Sequence, residues 1–338
     1  MVDATHTVFN ASDRSYYAVL KKEIHAIAIQ AGFDEKRTAE LDIIVAELTS
    51  NLHKYANGGE LLVGCFDTPG EEYIELISLD HGPGMADLQR VMTDGYSSSN
   101  TMGHGLGSIK RLSDEFDIYS LKGWGTIVLS RVYKTRRSAK VRAKVDIQIK
   151  PLVIKKPGEV TSGDGCYYKI TEGFVKLLVA DGLGHGPEAN LAVNEAVRSF
   201  KLCPYDSPVE VIRYLHADIR KTRGMVGTVA VYDMNAKVLK IAGVGNISTK
   251  LVGRVNSKNV LSYNGIIGHN IPNTMNDQRV EFADYQQMMF CSDGIKSRWD
   301  TLKYVGINRC DSAILATAIY KDFARQTDDM SVIIAKVS

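Results

Sequence analysis

Apolar residues recur three and four apart from Ser12 to about Ala31. They do so again from Asp34 to Tyr55, as in Leu41, Ile44, Val45, Leu48 and Leu52, the spacing of one buried helix face. Between these two predicted helices, AGF supplies a stop and Asp34 an N-cap. After NGG at 57–59 the period shortens to that of strands: ELLVGCF and EYIELISLD, joined by DTPGEE, read as a hairpin ending on Asp80. MADLQRVMTDG reads as a short helix and GLGSIKRLSDEFD as the start of another. FDIYSLKGWGTIVLSRVY is a second hairpin turning at Lys122 to Gly125. The order helix, helix, strand, strand, helix, helix, strand, strand predicts helices layered on one antiparallel sheet.

The texture then changes. KTRRSAKVRAK, residues 134–144, is basic and holds no acid, and without interleaved aromatic residues it reads as a solvated linker rather than a nucleic-acid arm. Beyond it come strand-like runs: VDIQIKPLVIK, GCYYKIT, FVKLLVAD, GTVAVYDM, KVLKIAGVG, ISTKLVG, QQMMFCSDG and MSVIIAKV. Three helical stretches lie among them, PEANLAVNEAVRSFK, PVEVIRYLHADIRK and DSAILATAIYKDFA. This predicts a sheet-on-sheet core flanked by helices. The expected division is a first domain at 1–134, a linker at 135–145 and a second domain at 146–338, which suits a chain of 338 residues.

Composition narrows the class. Hydrophobic residues at 44% and charged residues at 24% fit a folded protein. A net charge of +2 gives no field that calls for nucleic acid or a membrane as partner. The cysteines Cys65, Cys166, Cys203, Cys291 and Cys310 form no CxxC pair, so a reducing cytoplasm is expected rather than a disulfide framework or zinc site. No signal-peptide pattern opens the chain, and no apolar run reaches the roughly 18 residues that span a bilayer. Oligomeric state is not legible.

Glu47 and Asn51 in ELTSNLHKYA stand four apart, on one face of a helix. The pair suits a magnesium ion on Asn51 and a nucleophile oriented or deprotonated by Glu47, although ExxxN also occurs on solvated helix faces. Context adds to it. Asp80 in DHGPGM ends a strand, where its carboxylate can accept from an adenine amino group, and Gly82 and Gly84 let the backbone turn beneath the base. GHGLGS places Gly103, Gly105 and Gly107 at a helix start, where amides and the helix dipole favour phosphates. Residues 34–133 resemble the GHKL (Bergerat-fold) ATPases: N-box ELTSNLHKYA, G1 box DHGPGM, G2 box GHGLG and the closing Gly125 and Thr126. Within that superfamily they are most similar to the RsbT switch kinases of bacterial stressosomes. The resemblance implies a two-layer α/β sandwich binding ATP or ADP with Mg2+. It puts Asn51 on the metal, Asp80 with Gly82, Gly84 and Thr126 around adenine, and Gly103, His104, Gly105, Leu106 and Gly107 on the phosphates. Glu47 would be the base for a substrate serine, and Lys54 is either a phosphate contact or an exposed helix lysine. His25, His53, His81 and His104 show no phosphoacceptor pattern.

In the second half, Asp164 (SGDG), Asp181 (VADGLGHG), Asp293 (FCSDG) and Asp328 (QTDDMSVII) lie at strand ends. Each Asp-Gly alone reads as a turn. Together they form the oxygen-rich set that Mg2+ or Mn2+ prefers, suited to phosphate-ester hydrolysis. The set resembles the PP2C-type serine/threonine phosphatases of the SpoIIE group, most closely the RsbX-like ones. That implies an α/β/β/α sandwich holding two Mn2+ or Mg2+ ions, with Asp181 bridging both, the Gly182 carbonyl beside it, and Asp293 and Asp328 on the second ion. Asp164 would sit in or next to the coordination shell, and Asp329 would be a support. His185 is left between a phosphate or water contact and a hydrogen bond within its loop; Lys169, Arg223 and Gly243 to Asn246 are candidate substrate contacts.

The two resemblances imply a kinase and a phosphatase fused in one chain, acting on serine or threonine of STAS-domain, anti-sigma-antagonist or stressosome-type regulators. Two alternatives stay open: a phosphatase gated by a nucleotide-sensing domain that transfers no phosphate, and a partner-sequestering anti-sigma-type module. An intact Glu47 favours transfer.

Overall fold

The computed structural model describes residues 5–11, 13, 16–67, 72–85, 88, 105–136, 147–171 and 173–337. The expected helix at 85–95 and the linker at 135–145 fall largely outside them. The chain forms two compact units, Met1–Ala143 with Thr301–Lys321, and Lys144–Asp300 with Asp322–Ser338.

In the first unit, five strands, β1 (Thr5–Asn10), β2 (Glu60–Phe66), β3 (Tyr73–Leu79), β4 (Glu115–Leu121) and β5 (Gly125–Tyr133), form an antiparallel sheet ordered β1-β2-β3-β5-β4. Helices α1 (Tyr17–Gln30), α2 (Glu35–Ala56) and α3 (Gly105–Leu112) pack on one face. Their apolar stripes supply Leu20 and Ile24, then Leu41, Ile44, Leu48 and Leu52, then Ile109, against Leu61, Ile74, Leu76 and Val128 of the sheet. Asp34 caps α2 by accepting from the Arg37 N–H, and Asn57 ends it in the left-handed conformation. The strand β1 was not expected from the sequence pattern. It is short and carries His6 inward, where the ring meets Glu75 at 3.0 Å, so it shows no apolar alternation.

Every residue of β3 and β5 is buried, which a sheet with one wet face does not show. The second face carries Glu75 and Arg131, paired directly across β3 and β5, and the segment Thr301–Lys321 belongs to the same unit. Arg131 is 0% exposed; its guanidinium donates to Glu75 at 2.5 Å, Glu115 at 2.8 Å and both oxygens of Asp311 at 2.7 and 3.0 Å. A buried guanidinium persists only with such a full set of carboxylate acceptors.

The second unit is a β-sandwich. One sheet runs β12-β11-β14-β15-β6 and the other β13-β10-β9-β8-β7. The first comprises β6 (Ile147–Ile154), β11 (Ser248–Val252), β12 (Ser257–Val260), β14 (Gln287–Cys291) and β15 (Met330–Val337). The second comprises β7 (Asp164–Thr171), β8 (Phe174–Gly182), β9 (Met225–Asp233), β10 (Val238–Val244) and β13 (Gln278–Glu281). Val175, Leu177 and Val179 of β8 meet Phe290 and Ile333 between the sheets. The alternate residues Leu178 and Ala180 meet helices α4 (Pro187–Leu202) and α5 (Pro208–Asp218), the period-2 division of a strand buried on both faces. The remaining long helix, α6 (Ser312–Phe323), is grouped to Lys321 with the first unit. Strands β12 and β13 were not expected; at four residues each they give too short a pattern to read.

Candidate active sites

Glu47 and Asn51 project from consecutive turns of α2, each half-buried. The start of α3 lies over them. A Cβ placed on Gly105 would stand 2.9 Å from Glu47 Oε2 and 3.5 Å from Asn51 Oδ1, so glycine lets the helix start approach this pair without pushing the Glu47 carboxylate aside. Leu106 packs into the core below and fixes that start, and Gly107 continues the helix. Gly103 and His104 lie outside the described residues.

Asp80 follows β3. Its Oδ1 accepts from the Gly82 N–H at 2.8 Å and the Thr126 N–H at 3.2 Å, and its own N–H donates to the Thr126 carbonyl at 3.1 Å. Burial pushes the carboxyl above its ordinary value, while the Gly82 and Thr126 N–H groups and then the charges of Lys321 and His81 pull it back. One oxygen is thus held by the backbone and the other is left for a donor. Gly84 leads into Met85, whose N–H donates to Ser120 Oγ at 2.8 Å; that hydroxyl also meets Thr126 Oγ1 at 2.9 Å. Lys54 is exposed in the last turn of α2. Trp124, Tyr320 and Lys321 adjoin this corner and were not singled out from the sequence.

In the second unit, strand register does what sequence could not show. Asp164 and Asp181 are directly opposite across β7 and β8, so their carboxylates share one face with Cβ atoms about 5 Å apart. Both oxygens of Asp164 are buried with no hydrogen-bond partner. The Ser292 and Ser331 hydroxyls sit near enough to pull its carboxyl part of the way back down but outside hydrogen-bonding geometry. Burial, then the charges of Asp164, Asp293, Asp328 and Asp329 push Asp181 well up, and Asp164 is pushed up to about 7, burial again leading. Asp293 follows β14 and Asp328 precedes β15, which are paired through Cys291 and Val332. The four acids expected to act together therefore meet at one end of the sandwich.

Of the glycines that follow these acids, Gly294 sits in a turn, as Asp-Gly alone suggests, whereas the other two do not. Gly165 and Gly182 lie within strands; a Cβ on them would stand 2.5 Å from Val193 Cγ1 and 2.4 Å from the Ala189 carbonyl oxygen of α4. They let α4 pack tightly behind the acids. Asp329 is a clasp, accepting from the Lys156 and Gly163 N–H groups at 2.8 Å each. His185 Nδ1 bonds Glu159 Oε1 at 2.6 Å, a partner 26 residues away rather than one within its own loop. Arg223 pairs with Glu188 and reaches over Gly184. Asn246 donates to Asp293 Oδ2 at 2.8 Å, whereas Lys169 stands five residues along β7 from Asp164, roughly 16 Å away.

The family described as "Histidine kinase-like ATPase domain" matches residues 9–131, and that described as "Stage II sporulation protein E (SpoIIE)" matches residues 171–338. The serine/threonine-protein kinase RsbT of Bacillus subtilis (strain 168) is 36% identical over 100 residues, 30% of this chain and 75% of that protein. The chain belongs to the RsbT-like kinase family in its first part and carries a SpoIIE/PP2C-type phosphatase domain in its second. A solved structure from "The bacterial stressosome: a modular system that has been adapted to control secondary messenger signaling" is 29% identical, covering 57% of this chain and all 100% of that one, with a TM-score of 0.52. RsbX in complex with magnesium aligns at 17% identity over 59% of this chain and 99% of that one, with a TM-score of 0.48.

The two families imply use of a nucleotide and of divalent metal. The residues fit both. In the RsbT-like part, the gap left by Gly105 over Glu47 and Asn51 is the space a Cβ would fill. In the SpoIIE part, the two unpartnered buried oxygens of Asp164 opposite Asp181 call for a cation. Among the described residues no three His, Cys, Asp or Glu side chains already converge in a group that could hold an ion. No helix among the described residues is long and apolar enough to cross a membrane.

Proposed function

We propose that the chain is a two-way switch enzyme, transferring phosphate from Mg-ATP to a serine or threonine of a protein regulator and removing it again. The observation that carries the transfer half is the Glu47 carboxylate beside Asn51, directly under Gly105. A nucleotide sensor needs the metal residue but no base next to it. Asp80 accepts the adenine amino group, Gly82, Gly84 and Thr126 shape the pocket beside it, and the glycine start of α3, with Gly103 to Gly107, offers amides to the phosphates. Glu47 orients the incoming hydroxyl and takes its proton, and positioning supplies most of the rate. Lys54 stays at the margin as an exposed cation.

In the SpoIIE part, Asp181, the Gly182 carbonyl, Asp293 and Asp328 would hold two Mg2+ or Mn2+ ions, with Asp164 behind them. Bound there, such ions lower the pKa of water and screen phosphoryl charge. Asp329 keeps the 156–163 loop against this end, and Asn246 orients Asp293. We assign STAS-domain regulators of the stressosome or partner-switching kind as substrate for both parts. The support is the RsbT relationship and the stressosome neighbour.

The test is incubation of full-length protein with a candidate STAS protein, Mn2+, Mg2+ and labelled ATP. Asp181→Asn and Asp293→Asn should accumulate phosphorylated substrate and lose p-nitrophenyl phosphate hydrolysis, and Glu47→Gln should label nothing while binding ATP. Absence of label from the phosphatase-dead variants, with ATP bound, sinks the kinase half and leaves the nucleotide-gated phosphatase or the sequestering module. Retained hydrolysis sinks the metal assignment.

A further inference from the structure

The first unit does not end where its family match ends. Residues Thr301–Lys321 belong to it, yet they come from the stretch of chain that the SpoIIE family matches. They are held at several points. Asp311 meets Arg131 and donates its N–H to Asp117 at 2.7 Å; the Tyr119 hydroxyl donates to the Val305 carbonyl at 3.2 Å. At the end of the segment the Tyr320 hydroxyl donates to Glu60 at 3.0 Å.

The last contact bears on the nucleotide. Lys321 Nζ donates to the Trp124 carbonyl at 2.8 Å and stands 3.9 Å over the centre of the indole ring. This is close enough for cation–π attraction as well as a charged hydrogen bond. Trp124 occupies the turn between β4 and β5, one residue before Gly125 and two before Thr126, whose N–H holds Asp80. The other side of that turn is tied to the G1 box, since the Gly123 N–H donates to the Pro83 carbonyl at 2.7 Å. The turn is thus pinned between the G1 box and a lysine far along the chain.

We propose that Lys321 is a positioning residue of the nucleotide site: held on the Trp124 carbonyl and ring, it fixes the Trp124 to Thr126 turn against Asp80. The inference rests on the assignment of Asp80 to adenine. Charged or titratable groups that act on Asp80 are Lys321 and His81. His81 is common to every variant below, so its contribution cancels in the comparison.

The experiment uses full-length protein with Mg2+ and a fluorescent ATP analogue, read between pH 5.5 and 8. The variants are Lys321→Met, Lys321→Arg and Asp80→Asn, with p-nitrophenyl phosphate hydrolysis as a check on folding. Asp80→Asn should weaken binding throughout. Lys321→Met should weaken it by about tenfold, and its loss of binding on acidification should begin at higher pH, because the carboxyl has lost the charge that favours its ionised form. Lys321→Arg should restore both affinity and profile. If Asp80→Asn binds like wild type, the adenine assignment fails and takes the inference with it. If Asp80→Asn is weakened while Lys321→Met keeps wild-type affinity and pH profile, the inference alone is overturned.

Discussion

Gly125→Ala and Gly123→Ala change two glycines of one turn by the same methyl group, and the structure separates their costs. Both have positive φ, +79° at Gly123 and +121° at Gly125. At Gly123 a Cβ meets nothing within 4 Å, so alanine carries only backbone strain of about 1–2 kcal/mol. At Gly125 the Cβ would stand 2.1 Å from the Asp80 carbonyl oxygen and 3.0 Å from its Oδ1. That overlap is with backbone, which cannot swing aside. Strain of about 1–3 kcal/mol joins overpacking of about 1–3 kcal/mol, giving roughly 2–6 kcal/mol. Relief of the clash also has to move Asp80 from the Thr126 N–H, so ATP affinity should fall about tenfold for each 1.4 kcal/mol of that displacement. Urea unfolding followed by tryptophan fluorescence, to which Trp124 in the same turn contributes, gives the stability of each variant, and titration with the ATP analogue gives affinity. Gly123→Ala should bind ATP nearly as wild type. Equal destabilisation of the two variants, or unchanged affinity in Gly125→Ala, refutes the close contact between the turn and Asp80.

Four other outcomes follow from the structure. Arg131→Met strands Glu75, 2% exposed, without its guanidinium; a loss of about 3–5 kcal/mol should appear in urea unfolding, and a loss under 1 kcal/mol contradicts the buried network. In metal-free protein the raised carboxyls bind protons more tightly folded than unfolded. The stability they give is full below their ordinary values and lost as pH rises, for Asp164 through about 7. The melting temperature with chelator should therefore fall from pH 5 to pH 8 and the fall should flatten with Mn2+, and a chelated profile that rises over this range overturns it. Asp181→Asn should raise the metal-free melting temperature, about 2–4 °C per kcal/mol of repulsion removed, while abolishing hydrolysis. Asp329→Asn leaves one of two backbone N–H groups facing an amide and should cost about 1–3 kcal/mol by thermal unfolding, with wild-type stability as the contrary result.

Both sites were partly legible because some of their chemistry is local. Glu47 and Asn51 share a helix face by spacing alone, and the G1 box, with Asp80 two residues before the Gly82 N–H that it accepts, sits within six residues. Strand β1 escaped notice because its buried His6 is polar, and β12 and β13 because four residues hold too little period.

The order of helices and strands, the glycine boxes and the identity of the acids were determined by the sequence itself, since each depends on backbone preferences and side-chain spacing over a few turns. Tertiary structure alone decided that Asp164 stands opposite Asp181, that Gly165 and Gly182 make room for α4, and that Lys321 closes the turn beside Asp80. Those partners are chosen by packing and charge between segments as much as 260 residues apart, as for Tyr320 and Glu60. No local period encodes that choice: it rests on which buried polar groups find acceptors once the apolar faces have closed.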